Sequence, residues 1–88
     1  MVYTVRLLVA ASRQLSRLDK PVAQRIVERI RWLAASFDSI QPEPLTGDLV
    51  GFYKLRSGDY RVVYEVLRAE RSLVIHKIDH RSRVYRKK

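Results

Sequence analysis

Side chains able to hold a phosphate group are concentrated in the last third of the chain. Lys54 and Arg56 alternate along FYKLRS, and Arg61 follows in YRVVYEV. Arg81 and Tyr85 come later, in the ending IDHRSRVY. Arginine presents a planar fork that matches phosphate oxygens, and lysine is a compact charge that can act as a base when other cations crowd it. These residue types at this spacing indicate a site that holds a phosphodiester.

Cleavage of RNA without a metal needs few groups. One group deprotonates the 2′-OH, another protonates the leaving 5′ oxygen, and cations stabilise the phosphorane. Lys54 is a candidate base, and Arg61 and Arg81 are candidate phosphate ligands. Tyr85 is a candidate acid–base group or a platform that stacks a base. Further candidates for binding the substrate are Arg56, His80 and Arg83.

The sequence indicates neither a metal nor a cofactor. His76 and His80 have no cysteine or carboxylate at ligand spacing, and the chain has no nucleophile elbow, phosphate-cradling glycine loop or dinucleotide fingerprint. We expect His76, in an apolar strand, to be a hydrogen-bonded structural residue. We expect Glu65 to form a cross-strand ion pair with Arg61 or Lys54.

The candidate site residues lie on a predicted β-hairpin. Residues 52–56 and 60–67 flank Ser-Gly-Asp, and a two-residue loop suits a primed turn in which Gly58 takes a positive φ. This loop predicts five cross-strand pairs: Arg56 with Arg61, Lys54 with Val63, Phe52 with Glu65, Leu55 with Val62, and Tyr53 with Tyr64. A one-residue slip would exchange the faces, so we expect this register. It gives an apolar face for the helices and a cationic face open to solvent.

Two helices are predicted before the hairpin. Helical spacing after a cap at Ser12 predicts a short first helix. Asp19 is placed to cap a second helix that has Pro21 near its start and ends near Phe37. This second helix carries an apolar stripe of Val22, Ile26, Ile30, Leu33 and Phe37. Trp32 flanks the stripe, which places it at the core edge or on a surface that a partner covers.

The remaining segments complete an α+β fold in one domain over residues 1–88. Alternating residues 2–9 predict an N-terminal strand, residues 41–44 predict a stiff connector, and residues 72–79 predict a strand buried on both faces. The predicted order is a strand, two helices and then a three-stranded antiparallel meander, which completes one sheet. Tyr53, Tyr60 and Tyr64 are expected to pack in the core or the sheet.

The composition favours an anionic partner. The 88 residues have a formal net charge of +9, and 47% of them are apolar, enough for a packed core. Solvation alone is the other explanation of the charge, although the cations are clustered. There is no cysteine, no signal-like apolar segment and no run long enough for a membrane span. We therefore expect a cytoplasmic protein that does not contact a membrane.

The motifs resemble those of the RelE/ParE toxin superfamily, most closely its RelE-like branch. The residues that carry the resemblance are Leu45-Thr-Gly-Asp-Leu, the Tyr53–Lys54 pair, the GDYR turn, and HR followed by VY. It covers nearly the whole chain and implies a RelE-like fold. It also implies an endoribonuclease that cuts mRNA in the ribosomal A site by attack of the 2′-OH. The implied partners are the ribosome, mRNA and a cognate, RelB-like antitoxin, with operator DNA contacted only through the antitoxin complex.

The resemblance also implies roles for single residues. Arg61 would stabilise the transition-state phosphate, Arg81 would stabilise or protonate the leaving oxygen, and Tyr85 would stack on or orient the nucleotide. Lys54 would be a base or a charge stabiliser. Phe52 stands where some relatives carry a second lysine, so the identity of the general base stays open. Two other functions also stay open: a ParE-like inhibitor of DNA gyrase and an RNA-binding module without catalysis.

Overall fold

The computed structural model describes residues 2–81, and over this range the chain forms an α+β fold with one five-stranded sheet and two α-helices. In chain order these elements are β1 (Thr4–Leu7), α1 (Val9–Ser16), α2 (Lys20–Ser36), β2 (Glu43–Pro44), β3 (Tyr53–Ser57), β4 (Tyr60–Leu67) and β5 (Ser72–His80). The strand order is β1-β5-β4-β3-β2, with β1 parallel to β5 and the other neighbours antiparallel. The predicted fold class is confirmed.

The second helix, α2, forms where its sequence signals place it. Asp19 occupies the N-cap position and Pro21 lies in the first turn, where a missing N–H costs little. The Asp19 side chain makes no capping hydrogen bond, but its carbonyl accepts the Ala23 N–H at 2.9 Å. The apolar stripe of α2 packs on the sheet in one core: Ile26, Ile30, Leu33 and Phe37 from the helix and 3-10 turn, with Leu55, Val62, Tyr64, Leu73, Ile75 and Ile78 from the strands.

The β3–β4 hairpin has the predicted register. Arg56 pairs with Arg61 and Lys54 with Val63, and Gly58 adopts a φ of +57° in the connecting turn. The ladder begins at Tyr53, so the predicted pairing of Phe52 with Glu65 is wrong. The Phe52 carbonyl instead accepts the Leu45 N–H at 2.9 Å, which ties it to the incoming chain.

Three other boundaries differ from the prediction. The first strand is shorter than residues 2–9, and α1 begins at Val9. Ser12 lies inside α1 because its N–H donates to the Leu8 carbonyl at 2.9 Å, so it is not the cap. Residues 41–44 are not only a connector, since Glu43–Pro44 forms a short edge strand against β3. Proline is tolerated there because an edge strand leaves one side without a ladder.

The entry into β5 joins three parts of the fold. Arg71 has a φ of +49°, its guanidinium lies 4.5 Å from the ring centroid of Tyr3, and its Nη2 donates to Asp38 Oδ2 at 2.8 Å. The hydrogen bond from Arg71, together with the charges of Arg71 and Arg68, holds the pKa of the Asp38 carboxyl below its usual value. These contacts connect β1, the end of α2 and the start of β5.

The central strand β5 contains a β-bulge. Val63 pairs with Lys77 and Tyr64 with Ile75, so His76 is the extra residue. The bulge reverses the alternation of side chains, and Ile78 therefore shares the core with Ile75. Lys77 consequently lies on the face opposite the helices, which we call the open face. No helix within residues 2–81 combines the length and apolar character needed to cross a membrane.

Candidate nucleic-acid interface

Four of the predicted site residues converge at the tip of the β3–β4 hairpin. Lys54, Arg56, Arg61 and Arg81, which we call the cationic cluster, line one depression that is partly open to solvent. The hairpin register places the first three on the open face, and Arg81 directly follows β5. Four cations around one depression favour an anionic ligand.

Arg81 is fixed to the hairpin turn through its backbone. Its N–H donates to the Asp59 carbonyl at 2.7 Å, and its Nη1 lies 3.9 Å from Asp59 Oδ1. Both side chains are about two-thirds exposed. Exposed ion pairs at this distance stabilise a fold little, so the guanidinium can exchange the carboxylate for a phosphate.

Arg61 has the most constrained environment of the cluster. It faces Arg56 directly across the hairpin, an arrangement of like charges that destabilises a sheet. Its Nε is buried and has no hydrogen-bond acceptor among the residues that the structure describes. Asp79 is its neighbour on β5, but the Asp79 carboxylate lies 3.5 Å from Lys77 Nζ. Arg61 therefore retains donor capacity that the described residues do not use.

The structure does not bring His80 into the cationic cluster. The bulge places His80 opposite Tyr60, and their rings meet edge to face with centroids 5.0 Å apart. Tyr60 packs against the helix-side core, so His80 lies on the opposite side of the sheet from Arg61. The predictions for Arg83 and Tyr85 fall outside the described residues.

Lys77 and Asp79 lie on the open face and were not recognised as site residues from the sequence. They stand beside Val63 and Arg61 on the next strand. A signal was present in the sequence, because Ile75 and Ile78 are both apolar but three residues apart. Two residues at odd spacing can share one face of a strand only when a bulge lies between them.

Glu65 has a different partner from the one predicted. Its Oε1 lies 3.0 Å from His76 Nε2, so the expected ion pair with Arg61 or Lys54 is wrong. His76 is hydrogen-bonded, as its position in an apolar strand predicted. The His76 ring also contacts the Phe52 ring edge to face, with centroids 4.7 Å apart. This group extends the open face beyond the cationic cluster.

The exposed surface of α2 forms a second feature beside the hairpin. Trp32 is 43% exposed and is absent from the residues packed on the core, which favours a surface that a partner covers over the core edge. The Arg29 guanidinium lies 4.5 Å from the Trp32 ring centroid, and its Nε donates to the Arg56 carbonyl at 3.3 Å. Arg29 thus joins α2 to the strand that carries the cluster.

Comparison with known proteins identifies the family. The model for the ParE toxin of type II toxin–antitoxin systems matches residues 5–85. The chain belongs to the RelE/ParE toxin superfamily. It is 33% identical over 91 aligned residues to the toxin RelG of Mycobacterium tuberculosis, covering 99% of this chain and all of the relative.

Two solved structures show the same fold as this RelE-like toxin of a type II toxin–antitoxin system. The protein is 30% identical to a chain of the RelBE2 toxin–antitoxin complex from M. tuberculosis. The TM-score is 0.82, and the match covers 93% of this protein and 94% of the chain in the complex. The protein is also 30% identical to a chain of the archaeal RelE–RelB complex from Pyrococcus horikoshii OT3, with a TM-score of 0.73 over 94% and 99%.

Proposed function

We propose that this RelE-like toxin is an endoribonuclease that cuts mRNA in the ribosomal A site and so stops translation. The observation that carries the proposal is the cationic cluster, and above all Arg61, whose buried Nε has no acceptor within the described residues. The unpaired donor and the placement of Arg56 opposite Arg61 both lower the stability of the fold, so stability does not explain them. A phosphate bound by the two guanidinium groups would offset the repulsion between Arg61 and Arg56.

The reaction is an attack of the ribose 2′-OH on the adjacent phosphorus, which expels the 5′ oxygen and leaves a 2′,3′-cyclic phosphate. Arg61 donates to a non-bridging oxygen and stabilises the charge that develops on the phosphorane. Arg81, at the rim of the depression, stabilises or protonates the leaving oxygen. Lys54 serves as the base or as a charge stabiliser, and Tyr85 stacks on or orients the nucleotide, as in the resemblance described above.

The ribosome supplies the alignment of the substrate that the site itself cannot provide. A cluster of arginines and one lysine stabilises charge well but is a weak source of general base catalysis at neutral pH. Cleavage then depends on holding the 2′-OH, the phosphorus and the leaving oxygen in line, and such positioning provides a large rate gain. We therefore expect little cutting of free RNA by the purified protein.

A cognate, RelB-like antitoxin is the proposed protein partner. Both solved structures described above are toxin–antitoxin complexes of similar proteins. A surface with a net charge of +9 suits an acidic, partly disordered segment that folds on binding. Trp32 with its stacked Arg29 offers an aromatic anchor of the kind that dominates protein interfaces. Operator DNA is contacted through the complex that the two proteins form.

Inhibition of DNA gyrase is the second candidate, because the matching family model is named for ParE toxins. The cationic cluster favours the nuclease, since cutting RNA requires phosphate ligands and the open face supplies four cations for that task. An RNA-binding module without catalysis would use the same surface and leave the mRNA intact.

The proposal is tested by adding the purified protein to ribosomes programmed with a defined mRNA and mapping the cut ends. Arg81→Ala keeps the backbone bond to Asp59 and removes the side chain beyond Cβ, and Arg13→Ala makes the same change on exposed α1. We expect A-site cuts with cyclic-phosphate ends, at least a hundredfold slower with Arg81→Ala and unchanged with Arg13→Ala. Intact mRNA in the presence of bound wild-type protein would refute the nuclease.

A further inference from the structure

A pair of aromatic rings lies on the open face beside the cationic cluster. The rings of Phe52 and His76 have centroids 4.7 Å apart and an interplanar angle of 75°. The hydrogen bond between His76 Nε2 and Glu65 Oε1 fixes the orientation of the imidazole. Phe52 is partly exposed and is absent from the residues packed on the helix-side core. The hydrophobic core therefore does not explain the position of these rings.

The rings and the cations follow one another along the strands. With a rise of about 3.4 Å per residue, Phe52 lies about 7 Å from Lys54, and Arg56 lies a further 7 Å along β3. Arg61 faces Arg56 across the hairpin. Steps of this size match the repeat of an extended RNA strand, so a strand with one phosphate at Arg61 can place a nearby base on the rings.

We infer that Phe52 and His76 form a stacking subsite for the nucleobase of a nucleotide within about two positions of the phosphate held by the cationic cluster, with Glu65 orienting the imidazole. The inference rests on the proposed function for the identity of the strand as mRNA. Phenyl and imidazole rings are among those that stack unpaired bases in RNA-binding proteins. Because every base has a π-face, the subsite accepts all four bases.

The other aromatic rings of the hairpin pack against the helix-side core. The other ring pair of the hairpin, Tyr53 and Tyr64, is stacked in the core with centroids 5.8 Å apart and is not available to a base. Tyr60 also lines the depression, but it packs against the helix-side core and its ring meets His80 edge to face. Among the described residues, Phe52 and His76 therefore form the ring pair on the open face.

The first test measures stacking without cleavage. A short single-stranded RNA carrying 2-aminopurine and a terminal dye is titrated with the protein at low salt, where a strongly cationic protein binds RNA. Anisotropy of the dye reports binding, and quenching of 2-aminopurine reports stacking. We expect quenching with wild type and with Phe52→Tyr. We expect Phe52→Leu and His76→Gln to lose most of the quenching and to bind about tenfold more weakly.

His76→Gln keeps an N–H donor for Glu65 while removing the ring, so the two variants test the ring by independent routes. Their urea denaturation curves show whether the fold is retained. Equal quenching by wild type and Phe52→Leu, or no quenching by wild type in the bound complex, would overturn the stacking subsite. These outcomes do not depend on whether the protein cuts mRNA.

The second test separates the subsite from the nuclease itself. On programmed ribosomes, single abasic substitutions are introduced on each side of the cut nucleotide. We expect one position at which the abasic site slows wild type about tenfold but slows Phe52→Leu no further, because the same stacking contact is already lost. If, at every position, the rate loss from the abasic site multiplied the rate loss from Phe52→Leu, the stacking subsite would be overturned. That outcome would not contradict the nuclease. Absence of any wild-type cleavage would refute the nuclease, and the quenching experiment would then decide the subsite alone.

Discussion

Replacing Arg61 by methionine should make the protein more stable while it removes activity. Methionine keeps most of the apolar stem of arginine and removes the guanidinium. The change eliminates the buried Nε that has no acceptor within the described residues and the like-charge contact with Arg56. Asp79 keeps Lys77 as its partner at 3.5 Å, so no carboxylate is stranded.

The size of the gain follows from these contacts. A buried donor without a partner costs about 1–3 kcal/mol, and like charges directly opposite in a sheet cost about 0.2–1 kcal/mol. The attraction between Arg61 and Asp79 on the next strand opposes both terms. We therefore expect Arg61→Met to raise the free energy of unfolding by about 1 kcal/mol. For a domain of this size that raises Tm by about 4–8 °C.

Urea denaturation of wild type, Arg61→Met and Arg56→Met measures the effect. Both variants relieve the same like-charge pair, but only Arg61→Met removes the buried donor and the attraction to Asp79, so the difference between the two variants measures the sum of those two effects. We expect Arg56→Met, at an exposed position, to change stability by no more than about 0.5 kcal/mol. Cleavage by Arg61→Met should fall at least a hundredfold. A loss of more than about 1 kcal/mol in Arg61→Met would show that Arg61 is a structural residue and refute the reasoning.

Three further predictions concern the scaffold. Gly58→Ala should lower the free energy of unfolding by about 1 kcal/mol in urea titrations, because a φ of +57° is unfavourable for alanine. The added Cβ itself meets nothing within 4 Å, so the backbone alone accounts for the loss. An unchanged urea midpoint would contradict this prediction. Burial raises the pKa of Tyr64 to about 12, so stability present below pH 10 is lost as pH rises towards 12. Wild type should therefore lose about 2 kcal/mol more than Tyr64→Phe between pH 9 and 11.5, and equal losses would contradict it. The pKa of Asp38 is lowered, so the stability that its carboxylate contributes is present above about pH 4 and lost in acid. Asp38→Asn should therefore lower the urea midpoint at pH 6 but not at pH 2.5. An equal decrease in the midpoint at both pH values would argue against the Arg71 contact.

The hairpin and α2 could be predicted because their determinants are local. The loop of Gly58 and Asp59 fixes the register, and only that register separates the cations from the apolar residues. Asp19, Pro21 and a stripe at helical spacing define α2 within the printed sequence. The convergence of Lys54, Arg56 and Arg61 follows directly from the hairpin.

The parts that could not be predicted depend on contacts distant in sequence. Strict alternation along β5 would place His80 on the open face, and the bulge at His76 moves it to the helix side. Glu65 pairs with His76 on a neighbouring strand rather than across the hairpin. The exposure of Trp32 depends on how α2 lies on the sheet, since a residue at the edge of an apolar stripe is compatible with either environment.

We propose that this toxin acts on mRNA and not on DNA topology. The most direct measurement compares, for one preparation of protein, the rate of mRNA cleavage on programmed ribosomes with the inhibition of DNA supercoiling by gyrase. We expect A-site cleavage that depends on Arg61 and supercoiling that is unaffected at the same concentration. Inhibition of supercoiling by wild type and by Arg61→Met alike, with the mRNA left intact, would contradict it.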